Sequence, residues 1–255
     1  MIENIFESHA HFDDERFDED RAELLSSMNS KGVRYAINIG SSLESSQASV
    51  DLADKYDFIY AAVGVHPEEV QDVDDKGIEK LRHLAKNKKV VAIGEIGLDY
   101  HYRDDNKEEQ ISAFRRQMEL AKELSLPVII HSRDACEDTM KVLSEYRLPG
   151  VVHCFSGSAE TAKEVVALGM YVGFTGVVTF KNARRALEAV EAVPIDRLLC
   201  ETDCPYMAPE PNRGKRCDST MLEFILAKMA EIKGVSAQQL ADITCENAKK
   251  LFGVL

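Results

Sequence analysis

The sequence predicts a single (β/α)8 barrel, of the TIM type, spanning residues 1–255. Three observations predict it. The chain has 255 residues, 45% of them hydrophobic, which suits one large α/β core better than several small domains. Eight short runs rich in Val and Ile are almost continuously apolar, as strands buried on both faces must be. Helical patterns stand between the runs, and strands alternating with helices build a parallel sheet. No Gly/Ser/Pro linker, internal repeat or low-complexity tract divides the chain.

The apolar runs fall at residues 5–6, 33–39, 59–65, 90–96, 128–130, 151–155, 171–174 and 198–200. Helical patterns cover 19–31, 43–55 and 77–86. Asn106 followed by Glu109 reads as a capping box opening the next helix, with Ile111, Phe114, Met118 and Ala121 on one stripe and Pro127 marking its end. Further helical patterns lie at 135–146, at 159–168 with Ser158 as cap and Gly169 as stop, at 183–193 and at 219–233. Ser236 with Gln239 forms a second capping box for the last helix, running toward Leu251.

The formal net charge of −13 argues against a non-specific nucleic-acid coat, which needs a broad basic surface. It leaves room for a nucleic-acid enzyme whose positive charge comes from bound metal. No apolar run approaches the ~18 residues of a membrane span, and the start lacks the basic and apolar segments of a signal peptide, so a cytoplasmic protein is expected. The six cysteines are scattered without a CxxC pair and read as free thiols. The acid run Asp72-Val73-Asp74-Asp75 reads as a solvated loop. No obligate protein partner is evident.

A barrel places its chemistry at the C-terminal ends of the strands. Histidines and carboxylates fall there repeatedly. His9 and His11 follow the first run, His66 the third, and Glu95 ends the fourth. His131 ends the fifth, His153 lies in the sixth, and Asp203 follows the eighth. Two of the seven histidines lack such a place: His83 reads as a surface residue, and His101 as a structural or substrate contact. In an extended segment, residues two apart point the same way about 6.6–6.8 Å apart, so the His9-x-His11 pair can converge on one ion. Four His (His9, His11, His131 and His153) and two carboxylates (Glu95 and Asp203) exceed the three protein ligands usual at a catalytic zinc. They suit two ions about 3.5–4 Å apart, with Glu95 as the natural bridge. Asp203 is a candidate both to ligate and to accept a proton. Asp13 is a candidate to orient His11, with a solvated turn acid the equal alternative.

These residues, in this order, resemble the TatD-type metal-dependent DNases of the amidohydrolase superfamily. The resemblance rests on Ser8-His9-Ala10-His11-Phe12-Asp13, Gly94-Glu95-Ile96-Gly97-Leu98-Asp99-Tyr100, His131-Ser132-Arg133, His153-Cys154-Phe155-Ser156-Gly157 and Glu201-Thr202-Asp203-Cys204-Pro205-Tyr206. Arg213-Gly214-Lys215-Arg216 and the ending 247–252 match as well, so nearly the whole chain is covered. The resemblance implies a TIM-type barrel, a divalent-metal site and 3′→5′ hydrolysis of phosphodiester bonds in DNA. It also implies one ion on His9, His11, Glu95 and Asp203, and another on Glu95, His131 and His153. Two departures stand out. Cys217, Asp218 and Ser219 follow Arg216 where the family commonly has Asn, an acid and Pro. His66-Pro67-Glu68 replaces a frequent His-Pro-His. Both bear on substrate contacts rather than on the ligand set.

The expected function is therefore metal-assisted hydrolysis of a DNA or oligonucleotide substrate at single-stranded ends. Asp203 would accept the proton of the attacking water. His66, Arg133, Arg213 and Arg216 are the candidate substrate and phosphate contacts. Tyr100, Tyr206 and Phe155 are candidates to stack on a base. Histidine-rich ligation favours zinc, manganese or nickel, while the resemblance leaves magnesium open. An alternative keeps the site and hydrolyses a small phosphoester, ester or amide. A non-catalytic metal protein is a third reading, although structural zinc sites are usually closed and often rich in Cys.

Overall fold

The computed structural model describes residues 1–101 and 105–254. Eight strands lie side by side in chain order, all parallel. They are β1 (Ile5–Ala10), β2 (Val33–Ile39), β3 (Ile59–Val63), β4 (Val90–Asp99), β5 (Val128–Arg133), β6 (Gly150–Val152), β7 (Tyr171–Phe174) and β8 (Leu198–Cys200). Nine helices accompany them: α1 (Arg21–Ser27), α2 (Leu43–Lys55), α3 (Asp75–Leu84), α4 (Lys107–Leu124), α5 (Cys136–Tyr146), α6 (Ala159–Ala167), α7 (Arg184–Ala192), α8 (Leu222–Lys233) and α9 (Ala237–Phe252), counted among the described residues. The architecture is the expected (β/α)8 barrel, nearly closed.

The sheet closes between β1 and β8 by a thin seam. Just beyond β8, Asp203 N donates to His9 O at 2.9 Å and His11 N donates to Cys204 O at 2.9 Å. A parallel bridge joins Ala10 to Cys204. Below those bonds the seam is spanned by side chains, Glu7 to Thr202 and Ser8 to Glu201.

The core has two parts. One cluster draws a residue from every strand: Phe6, Ile37, Ala62, Ala92, Ile129, Val151, Tyr171 and Leu199. Only the barrel lumen is shared by all eight strands, so these fill it. Cys245, Ala248 and Phe252 of α9 join the same cluster, with the Phe252 ring 6.3 Å from that of Phe6. The last helix thus plugs the floor of the barrel, leaving the C-terminal mouth for chemistry. The larger cluster packs the strands' outer residues against the helices.

Several sequence expectations shift by local chemistry. β1 and β4 run further than their apolar runs, to Ala10 and Asp99, because their polar ends are buried by the site. Residues 19–31 split into α1 and a 3-10 turn over Met28–Lys31, stopped at Gly32 in the left-handed region. Residues 219–221 likewise form a 3-10 turn capped by Asp218 before α8 begins. The capping box at Asn106 does not form. The Asn106 side chain instead accepts from Gln110 Nε2 at 2.9 Å, a bond within the first turn of α4. The caps at Ser158 and Ser236 form as expected, the latter as a full capping box. Among the described residues no helix is long and apolar enough to cross a membrane.

Candidate metal centre

The strand ends bring the predicted ligands to one place. Nε2 of His9 and Nε2 of His11 lie 3.2 Å apart. Oε2 of Glu95 stands 3.4 Å from the first and 3.7 Å from the second. Oδ1 of Asp203 stands 3.7 Å and 3.5 Å from the same two atoms. Four donors placed tetrahedrally about 2.1 Å from one ion are about 3.4 Å apart. The spacings of His9 and His11 from each other and from each carboxylate therefore suit a zinc-like ion; His9, His11 and Asp203 form one cluster able to hold one, and His9, Glu95 and His153 another. The other oxygen of Glu95, Oε1, lies 2.7 Å from His131 Nδ1 and 2.7 Å from His153 Nε2, and those nitrogens are 3.3 Å apart. That trio could hold a second ion. The two groups share the carboxylate of Glu95.

The electrostatics agree with this reading. Burial pulls the His9 imidazole down to about 4. Burial acts the same way on His11 and His131, but their carboxylate neighbours outweigh it and raise both to about 9. Glu95 is held well below its ordinary range: burial opposes its charge, and His153, His131 and His9 overcome the opposition. The cluster thus demands positive charge. Protons on imidazole meet that demand only by consuming the lone pairs that face inward. A divalent cation meets it while using them, so the donor set fits a metal.

A second layer aims these side chains, and much of it is absent from the sequence reading. His11 Nδ1 is bound to Ile39 O at 3.0 Å, which turns Nε2 to the centre. Asp13, a candidate for that role or for a solvated turn acid, is neither: its oxygens accept from Asn38 Nδ2 at 2.8 Å and Ser45 Oγ at 2.6 Å. It acts on His11 only through its charge, which helps raise that imidazole. His131 Nε2 meets Asp99 Oδ2 at 3.0 Å, a carboxylate behind a candidate ligand histidine, and His66, Asp99 and His131 form a further cluster that could hold a cation. Gly97 lets β4 lie this close to β5. Its φ is +146°, and a Cβ there would collide with the carbonyl of His131.

Two fully buried acids brace the seam. Glu7 Oε1 accepts from His9 N at 3.2 Å and Thr202 N at 2.9 Å, and Oε2 accepts from Thr202 Oγ1 at 2.6 Å. Burial pushes the Glu7 carboxyl up to about 7. Glu201 accepts from Cys154 N at 2.6 Å and Ser8 Oγ at 3.0 Å, and its Oε1 lies 3.8 Å from His153 Nδ1. Each acid ties the first or sixth strand to the eighth. The available signal was a charged residue inside or against a buried apolar run, which requires a partner. Asp203 and Cys154 both adopt left-handed backbone, with φ of 58° and 43°. Such conformations cost on the order of 1–3 kcal/mol each and persist where surrounding bonds fix them, here Asp203 N to His9 O and Cys154 N to Glu201.

The centre opens into a cavity of about 660 Å³. His66 lines it, its ring 4.4 Å from that of His131 and its Nε2 3.9 Å from Glu95 Oε1. Burial, with His131 next to it, lowers this imidazole to about 4. Arg133 lines the cavity as well. Arg213 and Arg216 are not among the described lining residues. The Arg213 guanidinium stacks 4.3 Å over the Phe180 ring. Arg216 is committed to Asp20 by bonds of 2.7 and 2.6 Å and lies over the Phe17 ring, so it ties the loop after β8 to the loop after β1. Of the aromatic candidates, Phe155 is buried against Phe174, and Tyr100 is bound to Asp138. Tyr206 is exposed on the rim. His83 is exposed and His101 pairs with Asp134 at 2.9 Å.

The family described as TatD related DNase matches residues 6–253. The chain belongs to the TatD family. The uncharacterized metal-dependent hydrolase YabD of Bacillus subtilis is 41% identical over 98% of this chain and 99% of its own length. The 3′-5′ ssDNA/RNA exonuclease TatD of Cronobacter sakazakii is 38% identical over 93% of each chain. Among solved structures, the TatD homologue YjjV of Escherichia coli superimposes with a TM-score of 0.93 at 32% identity, covering both chains completely. The protein is accordingly a metal-dependent hydrolase of the TatD family, and its barrel is that of its relatives.

Proposed function

We propose that this TatD protein is a 3′→5′ exonuclease that hydrolyses phosphodiester bonds at single-stranded DNA ends with two divalent ions. The carrying observation is the cage of His9, His11, Glu95 and Asp203, joined through Glu95 to the trio with His131 and His153. Zinc, manganese or magnesium bound there would lower the pKa of water and neutralise phosphate charge. Asp203 is an acceptor for the proton of the attacking water, since its histidine neighbours keep it ionised against the effect of burial. Arg133, on the cavity wall, pairs with the phosphate oxygens, and His66 beside His131 contacts the same group. Arg213 stands in the loop after β8 as a further contact for phosphate. Arg216 serves it indirectly, by fixing that loop through Asp20. The name of the Cronobacter relative supports the polarity and the single-stranded substrate.

A second reading, a small phosphoester as substrate, is favoured by the acidic walls of the cavity and the charge of −13. Elemental analysis of purified protein, followed by metal add-back after chelation, tests both. The exonuclease reading expects a ladder of 3′-shortened products from a 5′-labelled single strand. Absence of metal-dependent nucleotide release with every ion would overturn it. Asp203→Asn should abolish hydrolysis, and unchanged activity with unchanged metal content would remove Asp203 from its role.

A further inference from the structure

The walls of the cavity differ in character across the barrel. Strand order places β3 and β7 on opposite sides of the mouth. On the side of β3 the wall carries Glu68 and Glu69; by β1 stand Asp13 and Asp14, the latter accepting from the Tyr206 hydroxyl at 3.4 Å. On the side of β7 and β8 it carries Val177, Tyr206 and Met207. Tyr206 and Met207 are 44% and 38% exposed, and with Met1 they are the exposed large hydrophobics among the described residues. An exposed apolar pair beside a polar cavity marks a place for an apolar or planar group.

Among the described residues the acidic side is only partly balanced: Arg16 lies against Asp14, and the charge of Arg133 reaches Glu68. Arg133 is the lysine- or arginine-type side chain among the described lining residues. Arg16 lies outside the lining, 3.6 Å from Asp14 and over the Tyr206 ring. Arg216 is held by Asp20. Glu68 is half exposed at the mouth, its carboxylate 3.5 Å from His66 Nδ1. It occupies the position after Pro67. A nuclease that tracks a long strand needs cations along the backbone, whereas Glu68 and Glu69 line this mouth with carboxylates.

We infer that Glu68, with Glu69, makes the mouth a filter against long polyanions, so that the centre favours short phosphodiesters carrying one or two phosphates and a ring to rest on Tyr206 and Met207. This inference rests on the phosphodiesterase reading above and narrows its substrate class. It combines an attractive ledge with a repulsive wall, the two elements from which specificity is built. It also fixes the sign of the salt effect. Proteins that bind nucleic acid through cations lose affinity as salt rises. Here added salt screens like-charge repulsion, so long substrates gain.

The test uses the full chain with saturating metal, a dinucleotide and a single-stranded 20-mer. Raising monovalent salt from 50 to 200 mM should lower KM for the 20-mer by about threefold and leave the dinucleotide KM within a factor of about two. In Glu68→Gln/Glu69→Gln, the ratio of kcat/KM for the 20-mer to that for the dinucleotide should rise by about tenfold. A 20-mer KM that climbs with salt, or a ratio unmoved by the double substitution, would overturn the filter while leaving the phosphodiesterase reading intact. Failure to cleave either substrate with any ion would instead remove the phosphodiesterase reading, and the filter with it.

Discussion

Replacing Glu7 tests whether a buried acid holds the barrel shut. Glu7→Ala removes the acceptor of two buried backbone N–H groups, those of His9 and Thr202. Each donor left without a partner costs about 1–3 kcal/mol. Thr202 Oγ1 also loses its acceptor, although it still accepts from Cys204 N at 3.2 Å. With the cavity left by the deleted side chain, the expected loss is about 3–6 kcal/mol, a large part of the ~5–15 kcal/mol that holds a typical domain. For a chain of this size that is roughly 6–12 °C in Tm. Glu7→Gln keeps an acceptor for both N–H groups and can donate to Thr202 Oγ1, so at pH 5 it should lie within about 1 kcal/mol of the parent. The sign of its pH dependence follows from burial. The folded carboxyl is raised from its ordinary 4.5 to about 7, so its contribution is complete below about 4.5 and is lost as pH rises through 7. In metal-free protein, Glu7→Gln should therefore gain on the parent by about 3 kcal/mol between pH 5 and pH 8. Denaturant melts followed by circular dichroism measure both effects. A Glu7→Ala protein within 2 °C of the parent would refute the bracing role, and a Glu7→Gln difference independent of pH would refute the raised carboxyl.

Gly97→Ala should displace β5 at His131, because the added Cβ meets a backbone carbonyl that cannot swing away; bound metal should fall by about one ion per chain, and full retention would contradict the close approach. Gly173→Ala places a Cβ 2.5–2.7 Å from the Glu201 carboxylate, so it should destabilise by about 1–3 kcal/mol in thermal melts, and a neutral result would contradict the bracing by Glu201. Metal removal by chelator should lower Tm in a way that free metal restores, by about 2.7 kcal/mol of stability at a hundredfold excess over Kd; a Tm indifferent to metal would refute the cage.

The barrel and the six inward side chains were legible because both follow from short-range pattern. An apolar run declares a strand, and the residue at its C-terminal end is then at the mouth whatever its neighbours are. The bracing acids obey no such rule. Glu7 meets Thr202 from 195 positions away, and Arg216 finds Asp20 across 196. Those pairs exist only once β1 lies beside β8, which the run pattern implies but does not register. Asp13 misled for the reverse reason. Its nearness to His11 in sequence suggested a contact, yet the turn after β1 aims it at Asn38 on β2 and Ser45 on α2. Asn106 failed as a cap because Gln110, four residues on, engages its side-chain oxygen.

The seam explains why these details concentrate at the centre. Among the described residues, the ends of β1 and β8 exchange backbone bonds only at His9 with Asp203 and at His11 with Cys204. Three residues of the cage are thus supplied by the two strands that must meet last in the sheet order, and the fourth, Glu95, comes from the far side of the lumen. Closing the barrel and assembling the cage are the same geometric event. An ion in the cage would bond across the seam where backbone pairing is thinnest, so affinity for metal and resistance to opening of β1 from β8 should rise and fall together. Glu7 stands directly beneath that junction: it holds the amide of His9 on one strand and the amide before Asp203 on the other. A protein built this way can relax its outer loops to suit new substrates while its closure keeps the ligands in register.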